Sequence, residues 1–237
     1  VQNLTIGYAS SEGIQGKEKR VAEQITFELN RGDHVAILGD NGQGKSTLLK
    51  TLANELPALS GTFRWYGQAQ IAYYAQHVQH MLPLEKQVKD HLLHTAHASV
   101  LPQEILQMAG NFLFSEEDLE KPISVLSGGE RARLCLAGLL LRKHSVLLLD
   151  EPTNHLDVET VEALGNALHE FSGTILFISH DRTFVHQIAN TIMEVKNGEI
   201  KRFPGRYEEY VYRLEQITED ESSSNQEKVA SDPWTQR

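Results

Sequence analysis

The sequence is poor in cysteine and in basic side chains. Cys135 is the only cysteine among 237 residues, and 22 Lys and Arg stand against 32 Asp and Glu. A single cysteine excludes an internal disulfide framework and favours a reducing compartment, so we expect a cytoplasmic protein. The net charge of −10 argues against direct nucleic-acid binding by this chain, because phosphate backbones are held mainly by cationic side chains.

Long apolar runs are missing as well. No stretch of the sequence is apolar over enough residues to span a bilayer. The first residues lack the basic and then apolar pattern of an export leader. We therefore expect no membrane insertion. The numbering starts at Val1, within a strand-like run and without an initiator methionine, which predicts a piece of a longer polypeptide.

The strongest positive signal is a glycine-rich run, GDNGQGKST, at residues 39–47. An apolar stretch precedes it at 35–38 and a helical pattern follows at 46–53, which is the context of a phosphate-binding P-loop. Glycines let successive backbone N–H groups face an anion, and the helix N-terminus adds partial positive charge. A chance match is expected in about one such chain in a hundred. The residues predicted to contact a nucleotide here are Gly39, Asn41, Gly42, Gln43, Gly44, Lys45, Ser46 and Thr47.

Two side chains of this run have more specific expected roles. Lys45 should reach the β- and γ-phosphates, and the Ser46 hydroxyl should ligate Mg²⁺. Downstream, the apolar run at 146–149 ends in Asp150 and Glu151. Ligands of open α/β sheets lie beyond the carboxyl ends of the strands. We therefore predict that Asp150 holds Mg²⁺ through water and that Glu151 is the general base for the attacking water. The alternative is a solvated acidic pair before a proline turn.

The order of patterns along the chain predicts the fold class. The first part is β-rich, the middle part is helical with proline breaks, and the last part alternates between strands and helices. We predict an α/β protein with a mostly parallel core sheet, an N-terminal antiparallel β subdomain and an inserted helical subdomain at about 77–143. Asn197 and Gly198, between two apolar runs, predict a hairpin. The early strands are predicted at 1–8 as an edge strand, at 25–29, at 61–67 and at 70–76, with a loop at 9–20.

The run LSGGE at 126–130 combines a helix cap with two glycines. Ser127 and Glu130 form a capping box, and the glycines bare backbone N–H groups that suit an anion. This run resembles the signature loop of an ABC-type ATPase. In that family the signature of one domain closes over the γ-phosphate held by the P-loop of a second domain. The resemblance therefore implies that Ser127, Gly128 and Gly129 contact the ATP of a second ABC domain, either in the same polypeptide or in a homodimer.

Further positions match the family pattern one by one. Gln76 resembles the glutamine that meets Mg²⁺ and the attacking water, and His180 resembles the histidine that contacts the γ-phosphate. Tyr8 resembles the aromatic residue that stacks on adenine, and Asp157 resembles a residue of the loop that crosses to the partner. Each has a structural alternative, such as a surface glutamine, a lone histidine before a helix, or a helix N-cap at Asp157.

Several features resemble the ABC-F branch of the family. They are the run EPTNHLD at 151–157, the signature ending in Glu130, AQH at 75–77, and GRY at 205–207 followed by Tyr210. Transporter subunits usually read SALD after EPT and have glutamine at the end of the signature. ABC-F proteins are soluble, carry two ATPase domains in one chain and act on ribosomes, so the resemblance implies a ribosomal partner. The alternative is the ATPase subunit of a membrane transporter.

The resemblance covers residues 1–214 and is strongest to the second ATPase domain of such proteins. We predict one ABC domain over this range and a polar, disordered tail at 215–237. A group of histidines lies in the helical part, and we interpret it as a helix surface because no closed set of metal ligands accompanies it. Its members are His77, His80, His91, His94 and His97.

Overall fold

The computed structural model describes residues 1–9, 18–75, 81–154 and 156–216. Its strands are β1 (Gln2–Tyr8), β2 (Lys19–Ile25), β3 (His34–Leu38), β4 (Ser60–Thr62), β5 (Ile71–Tyr74), β6 (Val146–Asp150), β7 (Thr174–Ile178), β8 (Thr191–Lys196) and β9 (Glu199–Pro204). Its helices are α1 (Lys45–Leu52), α2 (Val88–Thr95), α3 (Pro102–Asn111), α4 (Glu116–Leu119), α5 (Gly128–Leu141), α6 (Val158–His169) and α7 (Arg182–Ile188). Residues 207–216 are also helical.

The core is a six-stranded sheet in the order β5-β6-β7-β3-β8-β9. The first five strands are parallel, and β9 returns antiparallel to β8. Every residue of β6 and β7 is buried, as is usual for parallel strands covered by helices on both faces. The predicted α/β fold with a mostly parallel core sheet is confirmed.

The hairpin between β8 and β9 turns at Asn197 and Gly198, whose φ angles are 53° and 79°. Positive φ at both central residues is what a type I′ turn requires, and this turn matches the twist of the flanking strands. The predicted hairpin is therefore confirmed. The backbone N–H of Asn197 also donates to Gln43 Oε1 at 3.1 Å, so the turn contacts the glycine-rich loop.

A second sheet has three antiparallel strands in the order β2-β1-β4. The predicted edge position of β1 is wrong, because β1 lies between the other two strands. Leu4 and Ile6 are fully buried in a core shared with α1. The register places Tyr8 opposite Lys19, so β2 begins inside the predicted loop and ends where the predicted strand at 25–29 begins. Pairing with β1 therefore sets the position of β2.

The other early strands are shorter than predicted. Of 61–67, β4 covers only the beginning, and of 70–76, β5 covers the middle. Gln76, His77 and His80 lie outside the described residues, as does the predicted tail beyond residue 216. The disorder of the tail and the role of Gln76 therefore stay predictions.

Helices α2 to α5 form the helical part of the chain. Pro102 is the first residue of α3, a position where its missing N–H has no helical partner to lose. Leu92, Phe112 and Ile123 are fully buried and belong to the same core cluster as the strands β6 and β7. Within the described part of the chain, no helix combines the length and the apolar content that crossing a bilayer demands.

Candidate nucleotide-binding site

The predicted polar residues lie at the carboxyl ends of three neighbouring strands, at one edge of the core sheet. In the parallel order β6-β7-β3, the glycine-rich loop follows β3, Glu151 follows β6 and His180 follows β7 shortly after its last residue. The carboxyl ends of parallel strands meet at one edge, where α/β proteins bind their ligands. The strand order therefore brings together residues that are more than a hundred positions apart in sequence.

The glycine-rich loop adopts a conformation that only glycine accommodates easily. Gly39 and Gly44 have φ angles of 143° and 98°. A Cβ atom at Gly39 would collide with the carbonyl oxygen of Val195, and one at Gly44 would collide with the side chain of Val21. Glycine is needed at both positions because the backbone is left-handed and the neighbours are close. Gly44 is also the residue immediately before α1, so the loop leads directly into a helix N-terminus.

Lys45 lies folded across this loop. Its Nζ atom donates to the carbonyl oxygens of Gly39 at 2.6 Å and Asp40 at 3.0 Å, and the residue is only 7% exposed. Burial lowers the pKa of the Lys45 ammonium, and the charges of Glu151 and Asp40 oppose this effect. The loop therefore holds a cation at the point where the sequence predicted phosphates.

Ser46 and Asp150 meet across the site. Ser46 Oγ donates to Asp150 Oδ1 at 3.0 Å, and the hydroxyl of Tyr73 donates to Asp150 Oδ2 at 3.5 Å. Burial raises the pKa of the Asp150 carboxyl, and the hydrogen bond from Ser46 opposes part of this rise. A hydroxyl and a carboxylate at hydrogen-bond distance are the hard oxygen donors that Mg²⁺ prefers, so this donor set fits the predicted ion.

Glu151 and His180 form a close pair. His180 Nε2 lies 3.2 Å from Glu151 Oε1, while Glu151 Oε2 is buried without a hydrogen-bond partner. Glu151 has a φ of 51°, a left-handed conformation that costs free energy for a residue with a side chain. Burial raises the pKa of the Glu151 carboxyl, and the charge of His180 opposes this. An unpaired buried carboxylate oxygen is available to accept a proton.

Most of the predicted site residues line one cavity of about 460 Å³, although Gly39 and Gln43 are not among its lining residues. Tyr8 lies at its wall, half exposed, with its hydroxyl 3.4 Å from Thr47 Oγ1. Sequence reasoning missed four lining residues, namely Lys19, Val21, Asn154 and Ile178. Alternation along β2, which places Lys19 and Val21 on the same face, would have found two of them had the strand been located.

The signature residues lie elsewhere. Ser127 caps α5, accepting from the N–H of Glu130 at 3.3 Å, and Glu130 Oε2 accepts from the N–H of Ser127 at 2.7 Å. The capping box is thus present, and a Cβ at Gly128 would meet open space. None of the residues 127–130 is among those that line the nucleotide cavity. The exposed helix N-terminus is therefore not part of the chain's own P-loop cavity.

Asp157 is the N-cap of α6. Its Oδ1 accepts from the N–H of Thr160 at 2.8 Å, and its Oδ2 lies 3.3 Å from Arg133 on α5. The backbone hydrogen bond to Thr160 is the main cause that lowers the pKa of the Asp157 carboxyl. Asp157 is thus a helix N-cap, as the structural alternative proposed. Its contact with Arg133, which the sequence did not indicate, joins α6 to α5, the helix that follows the signature.

Metal binding by the histidine group has no support in the described residues, which contain no cluster of three or more His, Cys, Asp or Glu side chains able to hold an ion. His91 is half-buried on α2 beside Gly138, and burial lowers its pKa. The thiol of Cys135 is largely buried, which raises its pKa to about 12. These side chains therefore belong to the packing of the helical part.

The chain is similar in sequence to known proteins. A family model described as ABC transporter matches residues 22–154. The chain is 41% identical to the putative ATP-binding protein YdiF of Bacillus subtilis, over 99% of this chain and 35% of that protein. It is 34% identical to ATP-binding cassette sub-family F member 2 of Mus musculus, over 93% of this chain and 34% of that protein. The chain thus spans about a third of the length of these relatives.

A solved structure has the same fold. The dimeric structure of a post-hydrolysis state of the ATP-binding cassette MJ0796 bound to ADP and Pi matches with a TM-score of 0.70 at 20% identity, over 86% of this chain and 97% of that chain. At this identity the likeness shows the fold alone, and it confirms the predicted ABC type of the P-loop fold. Together with a family match over more than half of the sequence, the motifs show that the chain belongs to the ABC transporter family, as an ATP-hydrolysing domain that resembles the F branch.

Proposed function

We propose that this domain hydrolyses ATP as one half of a head-to-tail pair, in which its signature residues complete the nucleotide site of a second ABC domain. The observation that carries the proposal is the composition of the nucleotide cavity. It contains the P-loop, Asp150, Glu151 and His180, but none of the residues 127–130. In this proposal the helix N-terminus at Ser127 binds an anion. That anion is the γ-phosphate held by the P-loop of a second copy of the fold.

Within the pair, each residue of the cavity has a proposed role. The loop amides and Lys45 bind the β- and γ-phosphates, and Tyr8 stacks on the base. Ser46 and Asp150, with Gln76 as a further predicted ligand, hold Mg²⁺, which when bound neutralises charge on the phosphate oxygens. Glu151 accepts the proton of the attacking water, and His180, which already lies beside that carboxylate, contacts the γ-phosphate. Asp157 lies at the surface that meets the second domain.

Pairing is supported by the solved cassette, which was described as a dimer with ADP and Pi bound. A site built from two domains closes when the triphosphate bridges them and opens when hydrolysis removes the γ-phosphate. The domain would therefore act as a switch whose closed state depends on ATP.

A complementation experiment tests the shared site. One chain carries Lys45→Met, which removes the P-loop cation, and a second carries Ser127→Arg, which blocks the signature. Each is expected to be inactive alone. Mixed in equal amounts, they form pairs with one intact site, and phosphate release should return to about a quarter of the wild-type rate if both chains associate at random.

Ser115→Arg is the matched control for that mixture. Ser115 caps α4 with the same kind of capping box that Ser127 makes at α5. Ser115→Arg therefore tests the loss of a helix cap without a change in the signature. The Ser115→Arg chain should hydrolyse ATP by itself. Full activity of the Ser127→Arg chain as a monomer, with no gain on mixing, would contradict the shared site.

We further propose that the full-length protein acts on the ribosome in the cytoplasm. Support comes from the resemblance to the ABC-F branch and from the relative named as a sub-family F member. The other candidate function, the ATPase subunit of a membrane transporter, is favoured by the description of the matching family model. Helices that span a membrane, encoded with the full-length protein, would favour the second candidate.

Co-sedimentation with ribosomes separates these two candidates. The full-length protein with Glu151→Gln, in ATP, is expected to move into the ribosome fraction, because the closed state cannot be released by hydrolysis. The Lys45→Met protein is the control and should stay in the supernatant. Equal amounts of both proteins in the ribosome fraction would contradict an ATP-dependent ribosomal role.

A further inference from the structure

The two loops that carry Glu151 and His180 are tied to each other by several hydrogen bonds. Their strands are neighbours, with Asp150 opposite Ile178 in the parallel register. The backbone N–H of Glu151 donates to the carbonyl of Ile178 at 3.0 Å. The two loops therefore start from a shared point, and side chains further along each loop determine how they continue.

A pair of hydroxyl groups makes the next connection. Thr153 Oγ1 lies 3.1 Å from Ser179 Oγ, and Ser179 Oγ also accepts from the backbone N–H of Asp181 at 3.1 Å. Ser179 is only 4% exposed, so water cannot replace a lost partner without cost. We call the contact between Thr153 and Ser179 the hydroxyl clasp.

The position of the clasp in the sequence links it to the reacting groups. Thr153 is two residues after Glu151, and Ser179 immediately precedes His180. Neither Thr153 nor Ser179 is among the residues that line the nucleotide cavity. The clasp fixes the distance between the loops just beside the Glu151–His180 pair, whose atoms are 3.2 Å apart.

Glu151 depends on such support for two reasons. Its backbone is left-handed, with a φ of 51°, and strained conformations persist only where surrounding contacts hold them. One oxygen of its carboxylate lies 3.2 Å from His180 Nε2, while the second oxygen has no hydrogen-bond partner. The orientation of the general base is therefore set largely by the backbone of its loop.

We propose that Thr153 and Ser179 are positioning residues for hydrolysis, holding the loop of Glu151 in register with the loop of His180. The inference rests on the roles proposed above for Glu151 and His180. Because the P-loop and Lys45 have no part in the clasp, its loss should leave ATP binding intact and slow the chemical step. A displacement of about 1 Å at a reacting group can cost about a hundredfold in rate.

Two substitutions at Thr153 separate the hydroxyl from the shape of the side chain. Thr153→Val keeps the shape and removes the hydroxyl, whereas Thr153→Ser keeps the hydroxyl and removes the methyl group. Thr153→Val is expected to lower kcat for ATP about tenfold, with KM unchanged within a factor of about two. Thr153→Ser should restore kcat to within about twofold of wild type. Steady-state phosphate release at varied ATP gives both constants, and thermal unfolding confirms that each variant is folded at the assay temperature.

Ser179→Ala provides the second arm. Thr153→Val and Ser179→Ala break the same hydrogen bond. The kcat of the double variant should therefore be only slightly below that of the less active single variant. Multiplied losses would mean that the residues act independently and would overturn the clasp. The clasp would also be overturned if Thr153→Ser is as slow as Thr153→Val, or if KM rises in parallel with the fall in kcat.

The Glu151→Gln chain, assayed beside these variants, keeps the inference distinct from the proposed function. Unchanged turnover in that chain would refute the proposed role of Glu151 as the general base. A strong loss there, together with wild-type turnover by Thr153→Val, would leave the proposed function standing and refute the clasp alone.

Discussion

Replacing Glu151 by glutamine is expected to lower ATP turnover by about 10²–10⁴, the range typical of general base catalysis. The substitution keeps the size of the side chain and its contact with His180 Nε2, which lies 3.2 Å from Oε1 in the wild-type site. It removes the carboxylate, whose second oxygen is buried and unpartnered and therefore available to take a proton from water. The measurement is phosphate release at saturating ATP.

ATP binding should survive this change and the closed pair should accumulate. Lys45, Ser46 and Asp150 keep their hydrogen bonds, since none of these bonds involves Glu151. Light scattering in ATP should thus show a mass near that of a dimer for Glu151→Gln, at concentrations where the wild-type chain returns to its smaller form as ATP is consumed. Glu159→Gln, an exposed acid on α6, is the control and should behave as wild type. Turnover at the wild-type rate by Glu151→Gln would refute the assignment of the general base.

Much of the site was predictable from the sequence because its chemistry is local. The glycines of the P-loop, the two acids after a buried strand and the capping box at Ser127 each occur within a few consecutive residues. Their conformations follow from backbone rules that apply wherever such runs occur. The alternation of strands and helices in the last part of the chain followed from periodicity in the same way.

The parts that sequence reasoning missed depend on contacts between distant residues. The edge position assigned to β1 was wrong because β2 and β4 flank it from different parts of the chain. Lys19 and Val21 line the cavity only because β2 pairs with β1 beside the P-loop. The contact of Arg133 with Asp157 spans 24 positions. No local pattern encodes these pairings, since they are set by how the sheets and helices pack.

Replacing Lys45 by methionine is expected to weaken ATP binding by about a hundred- to a thousandfold. Two unit charges 4 Å apart attract by about 4 kcal/mol at an effective dielectric constant of 20, which corresponds to about three orders of magnitude in affinity. The Lys45 ammonium is already largely desolvated before ATP binds, because the residue is 7% exposed and donates to the carbonyls of Gly39 and Asp40. Titration calorimetry with ATP measures the loss directly.

The size of the effect should depend on the number of phosphates, and this makes the assignment specific. If Lys45 contacts the β- and γ-phosphates, the loss for ATP exceeds the loss for ADP, and AMP binding is unaffected. Lys89→Met is the matched control, because Lys89 forms only an exposed ion pair with Glu120 on the helical part, and such pairs contribute little. Equal losses for ATP, ADP and AMP would mean that methionine had distorted the loop. Unchanged ATP affinity in Lys45→Met would contradict the assignment of Lys45 to the β- and γ-phosphates.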